Sequence, residues 1–238
     1  MKSIIDLHTH TIVSGHAHST VKENIEEAIN KNLKYLGISD HACSMPGGPH
    51  PFHFFNIGVY PRQIGDLKIL RGIEANIMNQ EGDIDVEDDI LCRFDYIIAS
   101  LHLQCIDPGT KEENTKTILN VMDNPNVKII GHLDDSRYPV EYEPIVKKAK
   151  EKNILLEVNN SSLKENAYRV GARENVAEML ELCEKYQTRV IMGTDSHICY
   201  QVGDFGNSER IINEKKFPKE LVLNYNEEDI INFFGIDF

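Results

Sequence analysis

The stretch Ile4-Ile5-Asp6-Leu7-His8-Thr9-His10, near the start of the chain, determines how the rest of the sequence is interpreted. Its apolar residues predict a short buried strand that runs directly into two histidines. Because successive side chains of an extended chain point to opposite faces, His8 and His10 should lie on one side, as two ligands of one metal ion would. Asp6 shares their parity and is expected to accept an imidazole N–H from below. One His-x-His pair is weak evidence, since such pairs also arise by chance.

The same event recurs along the chain, because further apolar, strand-like segments also end in His, Asp or Glu. These segments are predicted strands at 35–39, 67–73, 94–100, 127–130, 154–158 and 189–193. Six of the seven strands end in a side chain that can bind a metal, and the other ends in Asn159-Asn160-Ser161-Ser162. The candidate metal ligands are His8, His10, His16, His41, Glu74, His102, His132, Asp195 and His197.

Predicted helices alternate with these strands. Capping boxes at Thr20 and Thr110 mark two helix starts, and the helices are expected at 20–32, 110–122, 144–152, 172–186, near 208–213, and after the cap Asn226. Such alternation predicts a parallel sheet with right-handed crossovers. In a closed barrel the carboxyl ends of all strands converge, whereas an open sheet would spread the ligands along a line. The sequence therefore predicts an α/β fold, a TIM-like barrel of seven strands in a single domain, residues 1–238.

Residues 43–63 break the alternation. They contain four prolines, three glycines and two histidines, a composition typical of a loop. We expect a long loop over one end of the fold, which is either functional or only a structural cover.

Composition limits the classes of function. The chain of 238 residues is 41% apolar, enough for one substantial core, and its 38 acidic and 25 basic residues give a formal charge of −13. This charge argues against a nucleic-acid partner, which needs a basic face. The five cysteines show no C-x-x-C spacing and are predicted to be reduced thiols. Neither a signal peptide nor a membrane span is evident, so the expected location is cytoplasmic.

Seven histidines, one glutamate and one aspartate form a ligand set that suits Zn²⁺, with Mn²⁺ or Fe²⁺ feasible. Nine side chains are too many for one tetrahedral ion. With a bridging carboxylate they would serve two or three ions and leave positions for water and substrate. A lone histidine at a strand end is usually only a polar terminus, but seven of the ten histidines recur at this one topological position. His18, His50 and His53 lack this placement, and an ordinary loop role explains them equally well.

The order of these motifs closely resembles the PHP (polymerase and histidinol phosphatase) superfamily, from about residue 4 to residue 200. The similarity is greatest to its stand-alone phosphatase branch, which implies a distorted seven-stranded barrel with a trinuclear metal site. By this resemblance His8, His10, Glu74 and Asp195 would hold one ion, Glu74, His102 and His132 a second, and His16, His41 and His197 a third. The motifs that carry it are Asp6-Leu7-His8-Thr9-His10, His16, Ser39-Asp40-His41, Gly72-Ile73-Glu74-Ala75-Asn76, His102, His132, Glu157-Val158-Asn159-Asn160-Ser161-Ser162 and Asp195-Ser196-His197.

The resemblance implies a metal-dependent phosphoesterase, and we expect a phosphatase acting on a small-molecule phosphomonoester. Clustered cations would bind the phosphoryl oxygens and lower the pKa of a bound water, giving hydroxide near neutral pH without a nucleophilic side chain. Candidate substrate contacts at the rim are Arg62, Arg137, His18, His50 and His53.

Two alternative functions stay open. The first is a nuclease or phosphodiesterase of PHP type, against which the acidic charge argues. The second is a non-catalytic metal-binding protein, against which the complete ligand set argues. The sequence predicts neither the particular substrate nor the oligomeric state.

Overall fold

A parallel sheet of seven strands organises residues 1–235, the part of the chain that this computed structural model describes. The strands are β1 (Ile5–Asp6), β2 (Tyr35–Ile38), β4 (Leu67–Asn76), β5 (Tyr96–Ser100), β6 (Val127–Ile130), β7 (Leu155–Asn159) and β8 (Val190–Gly193), and they pair in that order. A short β3 (Gln63–Ile64) pairs antiparallel with β4. The last three residues of the predicted 1–238 domain lie outside the described residues.

The sheet nearly closes on itself at the seam between β8 and β1. Just beyond both strands, Thr9 and Ser196 form a parallel bridge, and His10 N donates to Ser196 O at 2.9 Å. Lower in the seam the buried side chain of Asn224 donates to Ile5 O at 3.0 Å and to Met192 O at 2.9 Å, and it accepts from Met192 N at 2.7 Å. The side-chain amide of Asn224 thus replaces the backbone hydrogen bonds that would otherwise join β1 to β8. The predicted seven-stranded TIM-like barrel is confirmed, and this irregular seam is its distortion.

We expect Asn224→Ala to destabilise the protein by about 3 kcal/mol, because it removes the hydrogen bonds that this side chain makes to three buried backbone groups of β1 and β8. Urea unfolding followed by circular dichroism measures the loss. Asn232→Ala, an exposed change on the last helix, is the matched control and should stay within about 0.5 kcal/mol of wild type. Equal stability of the two variants would show that Asn224 does not hold the seam.

Helices surround the barrel, and the last of them packs against its interior cluster. They are α1 (Val21–Asn30), α2 (Phe52–Phe55), α3 (Asp88–Leu91), α4 (Lys111–Val121), α5 (Tyr142–Lys152), α6 (Ala172–Tyr186), α7 (Gly206–Glu214) and α8 (Glu227–Phe234). Both predicted capping boxes form, at Thr20 and at Thr110, and the side chain of Asn226 caps α8. Capping satisfies backbone N–H groups that the first helical turn leaves free, and for this reason the starts of α1, α4 and α8 were predictable.

Apolar side chains fill the barrel below the carboxyl ends of the strands. Leu70, Ile98, Leu155 and Ile191 point into this interior from four strands, and Phe233 of α8 packs against the same cluster. A larger apolar cluster lies between the strands and the outer helices. Because the lower barrel is packed solid, polar chemistry is confined to the carboxyl ends of the strands, where TIM-like barrels place their sites.

The segment 43–63 is more structured than the predicted loop. It contains α2, a 3₁₀ turn at Ile57–Val59 and the start of β3, and Phe54 is buried against Phe94 with ring centroids 5.7 Å apart. The prediction of one long loop is therefore wrong for the second half of this segment. The proline and glycine content predicted a loop, although the buried side chain of Phe54 attaches this segment to the side of the barrel.

Candidate metal centre

Every second residue of a strand points into the barrel, and near the carboxyl ends of β4 and β7 these inward residues change from apolar to acidic. In β4 the inward positions run Leu70, Gly72, Glu74, so the carboxylate stands one repeat above the aliphatic packing. In the same way Leu155 is followed by Glu157 in β7. The strands therefore carry their carboxylates to one level, at the centre of the barrel mouth.

Glu74 is fully buried and is surrounded by imidazoles. Its Oε1 lies 2.9 Å from His132 Nε2 and 3.3 Å from the Nε2 atoms of His8 and His102. Its Oε2 lies 2.7 Å from His41 Nδ1 and 3.5 Å from His10 Nε2. Five predicted histidine ligands, from the ends of four strands, thus meet at the carboxylate of a fifth strand.

Asp195 is the second carboxylate of the centre. Its Oδ1 lies 3.3 Å from His10 Nε2, 3.5 Å from His197 Nδ1 and 3.7 Å from His8 Nε2. Its backbone is left-handed, with φ +51°, and that of His132 has φ +24°. Non-glycine residues seldom adopt positive φ, and such strain concentrates at functional sites.

His16 and His197 complete the group on the solvent side. Their Nε2 atoms are 3.0 Å apart, and the ring of His41 lies 5.0 Å from that of His16 between centroids. The structure therefore brings all nine predicted ligands together.

Several ligand atoms in this centre lack a hydrogen-bond partner although they are buried: His8 Nε2, His10 Nε2, His41 Nδ1, His102 Nε2 and Glu74 Oε2. The 2.7 Å contact between His41 and Glu74 also lacks hydrogen-bond geometry. Buried polar atoms are normally paired, so these orphaned atoms need another partner. Three sets of ligand atoms have mutual distances within 4.8 Å, namely His8–His10–Glu74, His41–Glu74–His102 and His10–His41–His197. The residues fit divalent metal ions.

The electrostatics suit cations as well. Burial lowers the pKa of His10 well below its usual value and that of His102 to about 4, so both imidazoles are neutral near pH 7. Burial alone would raise the pKa values of Glu74 and Asp195, but nearby His8 in particular holds both well below their usual range. Burial would lower the pKa of His8, yet Glu157, Glu74 and Asp195 raise it far above normal. Ionised carboxylates and neutral imidazoles are the forms that bind metals, so His10 and His102 can bind an ion directly, whereas His8 must release its proton when an ion binds.

Glu157 orients His8, a role that the sequence assigned to another residue. Its Oε1 lies 2.7 Å from His8 Nδ1, and its Oε2 accepts from His132 N at 2.8 Å. Asp6, predicted for this role, instead accepts from Thr194 Oγ1 at 2.6 Å and from Gly203 N at 3.0 Å. The prediction for Asp6 is wrong because its carboxylate lies one layer below the imidazoles. A signal for Glu157 was present, since a lone carboxylate within the apolar run 154–158 needs a buried partner.

Polar side chains also orient the imidazoles of His102 and His10, through contacts with their Nδ1 atoms. His102 Nδ1 lies 2.7 Å from Asn76 Oδ1, and His10 Nδ1 lies 3.1 Å from Ser14 Oγ, which in turn donates to Asp40 at 2.7 Å. Such contacts set the ring orientation and leave the other ring nitrogen for a metal.

A cavity of about 410 Å³ opens above the centre, and its wall includes His16, His41, His102, Asp195 and His197. Arg169 also lines it, and its Nη1 donates to Asp195 Oδ2 at 3.0 Å and to Ser162 Oγ at 3.1 Å. No pattern in the sequence indicated a role for Arg169. It follows β7 by ten positions, in a loop whose path only the tertiary structure reveals.

The predicted substrate contacts are placed elsewhere. Arg62 pairs with Asp95 at 2.6 Å, just before the start of β5, so it lies at the opposite end of the barrel and its prediction needs correction. Arg137 is engaged by Asp135 and by the ring of Tyr168.

The three predicted rim histidines are likewise outside the set of residues that line the cavity. His18 and His50 are exposed, and His53 is partly buried with its Nε2 3.4 Å from Tyr60 Oη. None of these three side chains lies at the centre, although the backbone of His18 donates from N to His197 O at 2.7 Å.

Comparison with known proteins agrees with this architecture. The PHP domain family matches residues 6–161, and the chain belongs to this family. A protein of Clostridium acetobutylicum named as a probable phosphatase is 47% identical over 98% of this chain and 95% of its own length. The predicted membership of the PHP superfamily is confirmed.

Two solved structures share the fold. Histidinol phosphate phosphatase of Lactococcus lactis, crystallised with zinc, L-histidinol and phosphate, has a TM-score of 0.64 at 18% identity and covers 92% of this chain and 95% of its own. A chain of archaeal ribonuclease P, solved with mature tRNA, has a TM-score of 0.55 at 16% identity and covers 96% and 87%. At such identities the likeness concerns the fold alone.

In the described part of the chain, every helix is too short or too polar to cross a membrane.

Proposed function

We propose that this protein is a metal-dependent phosphatase that hydrolyses small-molecule phosphomonoesters. The observation that carries the proposal is the pair of buried carboxylates, Glu74 and Asp195, that gathers imidazoles from strand ends around the barrel. The probable-phosphatase name of the 47% identical relative supports the same activity.

The proposed ions are Zn²⁺, which accompanies the L. lactis structure, with Mn²⁺ or Fe²⁺ as alternatives. His8, His10, Glu74 and Asp195 would hold one ion, Glu74, His102 and His132 a second, and His16, His41 and His197 a third. The close set His8–His10–Glu74 supports the first group of ligands. The other two sets cross this division, because they place His41 beside Glu74 and His102, and His10 beside His41 and His197. Bound divalent cations would supply positive charge for the phosphoryl oxygens and lower the pKa of water.

Residues of the chain itself would orient the substrate. Arg169 stands beside Asp195 at the cavity wall and offers donors to a phosphoryl oxygen, because the contacts with Asp195 and Ser162 both use Nη1 and a guanidinium has five N–H groups. Glu157 and Asn76 keep the rings of His8 and His102 in place. The cavity of about 410 Å³ matches one small molecule, and the charge of −13 disfavours a polynucleotide.

Turnover of a panel of phosphomonoesters, together with a single-stranded oligonucleotide, tests the proposal. The chelated protein and protein reconstituted with Zn²⁺ or Mn²⁺ are assayed in parallel. We expect metal-dependent release of inorganic phosphate from monoesters. Cleavage of the oligonucleotide alone would favour a nuclease, and full metal loading without any turnover would favour a non-catalytic metal-binding protein.

Metal content is a separate prediction. We expect about two to three transition-metal ions per chain after reconstitution, since nine ligands exceed what one ion can bind. His41→Ala should lose about one ion, because His41 is one of only three ligands assigned to the third ion, whereas His50→Ala, a matched change outside the centre, should lose none. Elemental analysis measures both variants. One ion or fewer in the wild type would count heavily against the centre as assigned.

A further inference from the structure

The residues that line the cavity above the metal centre differ in character. Most are polar, namely the histidines, Asp195, Arg169, Gln104, Ser161 and Ser162, whereas Met45, Pro46 and Tyr168 offer apolar surface. If phosphate binds beside the histidines and Arg169, these three side chains are the apolar surface that the cavity offers to the alcohol part of an ester.

Tyr168 is 69% exposed, yet its ring is held in a fixed position. The Arg137 guanidinium lies over the ring, 4.1 Å from its centroid. Arg137 is itself fixed, because its Nε donates to both oxygens of Asp135 at 2.9 Å. A cation over one face of an aromatic ring is a favourable contact that also restricts the rotation of the ring.

The loop that carries Tyr168 is clamped to the loop of Arg137. Ser136 N donates to Val170 O at 2.8 Å, and Asn175 Nδ2 donates to Ser136 Oγ at 2.9 Å. At Gly171, with φ +71°, a Cβ would come within 2.1 Å of Ser136 Oγ, so only glycine permits this approach. An exposed aromatic ring that several contacts hold beside a cavity is preorganised for a ligand.

We propose that Tyr168 determines substrate specificity by stacking on a planar ring in the alcohol part of the phosphomonoester. Arg137 is its positioning residue, held by Asp135. Arg137, which the sequence suggested as a phosphate contact, then acts on the substrate only through Tyr168. This inference rests on the proposed phosphatase function.

The experiment compares benzyl phosphate with ethyl phosphate, because their alcohols are similarly acidic and differ mainly in the ring. For Tyr168→Ala we expect KM for benzyl phosphate to rise by about tenfold, the scale of one aromatic contact, with KM for ethyl phosphate within about twofold of wild type. Tyr168→Phe should retain the preference, and Arg137→Gln should lose part of it. Tyr200→Ala is the matched control, since Tyr200 is 75% exposed and lies outside the residues that line the cavity.

Calorimetric binding of benzylphosphonate and ethylphosphonate to the Zn²⁺-loaded protein gives a readout that does not depend on turnover. The ratio of the two affinities should fall by about tenfold in Tyr168→Ala and stay unchanged in Tyr200→Ala. An active wild type whose ratio is the same in Tyr168→Ala would overturn the role of Tyr168 and leave the proposed function intact. A metal-loaded wild type that neither hydrolyses these esters nor binds either phosphonate would overturn both.

Discussion

Glu74→Gln is expected to lower phosphatase activity by at least about 10²-fold while the protein stays folded. The substitution preserves the shape of the side chain but removes a charge that five histidines approach within 2.7 to 3.5 Å. The new amide also presents N–H donors, which have no lone pair to offer a metal. Metal content should therefore fall together with activity.

The fold should survive this change, because the apolar interior below the centre contains none of the ligands. Circular dichroism, elemental analysis and turnover are measured on one preparation. Glu26→Gln, an exposed change on α1, removes the same charge outside the centre and should behave as wild type. A folded Glu74→Gln protein with full metal content and near-normal activity would overturn the bridging role of this carboxylate.

The sequence located all nine candidate ligands because their placement depends on local structure. An apolar run of a few residues predicts a buried strand, and the next polar residue then lies at its carboxyl end. In a parallel barrel these ends share one face. His8, His102 and His132 could therefore be assigned to one site without knowing which strands pair or in what register. The starts of helices were predictable for a similar reason, since a cap and its partner lie only three residues apart at Thr20 and Thr110.

The roles that the sequence did not reveal depend on contacts across the fold. Glu157 reaches His8 over a separation of 149 residues, and Asn224 joins Ile5 to Met192 at the seam of the barrel. Periodicity describes which face a side chain occupies but not which neighbour it meets. Asp6 illustrates this limit, because it has the parity of His8 and yet bonds to Thr194 below the centre.

The sequence also predicted substrate contacts for basic residues that the fold uses in ion pairs. An arginine to which the sequence assigns no partner is often paired in the fold, as Arg62 is with Asp95 and Arg137 with Asp135. Neither ion pair can be recognised in the sequence. Arg62 and Asp95 are far apart in the chain, and the two-residue spacing of Asp135 and Arg137 is common in loops. Arg169 reaches the cavity wall through the irregular segment between β7 and α6, where backbone geometry cannot be inferred from residue type.

Arg169→Lys is expected to reduce kcat/KM by about 10²-fold and to weaken inhibition by inorganic phosphate, because a lysine cannot reproduce the planar fork of donors. Metal content should change little, since the introduced ammonium group would keep a positive charge near Asp195, and Asn159 Nδ2 also donates to that carboxylate at 3.2 Å. Arg93→Lys, an exposed change outside the cavity, serves as the matched control. Measuring phosphate affinity, turnover and metal content together separates two roles of Arg169. Loss of metal in proportion to activity would mean that Arg169 only holds Asp195 in place, whereas loss of phosphate affinity at full metal content would identify it as a contact for the substrate.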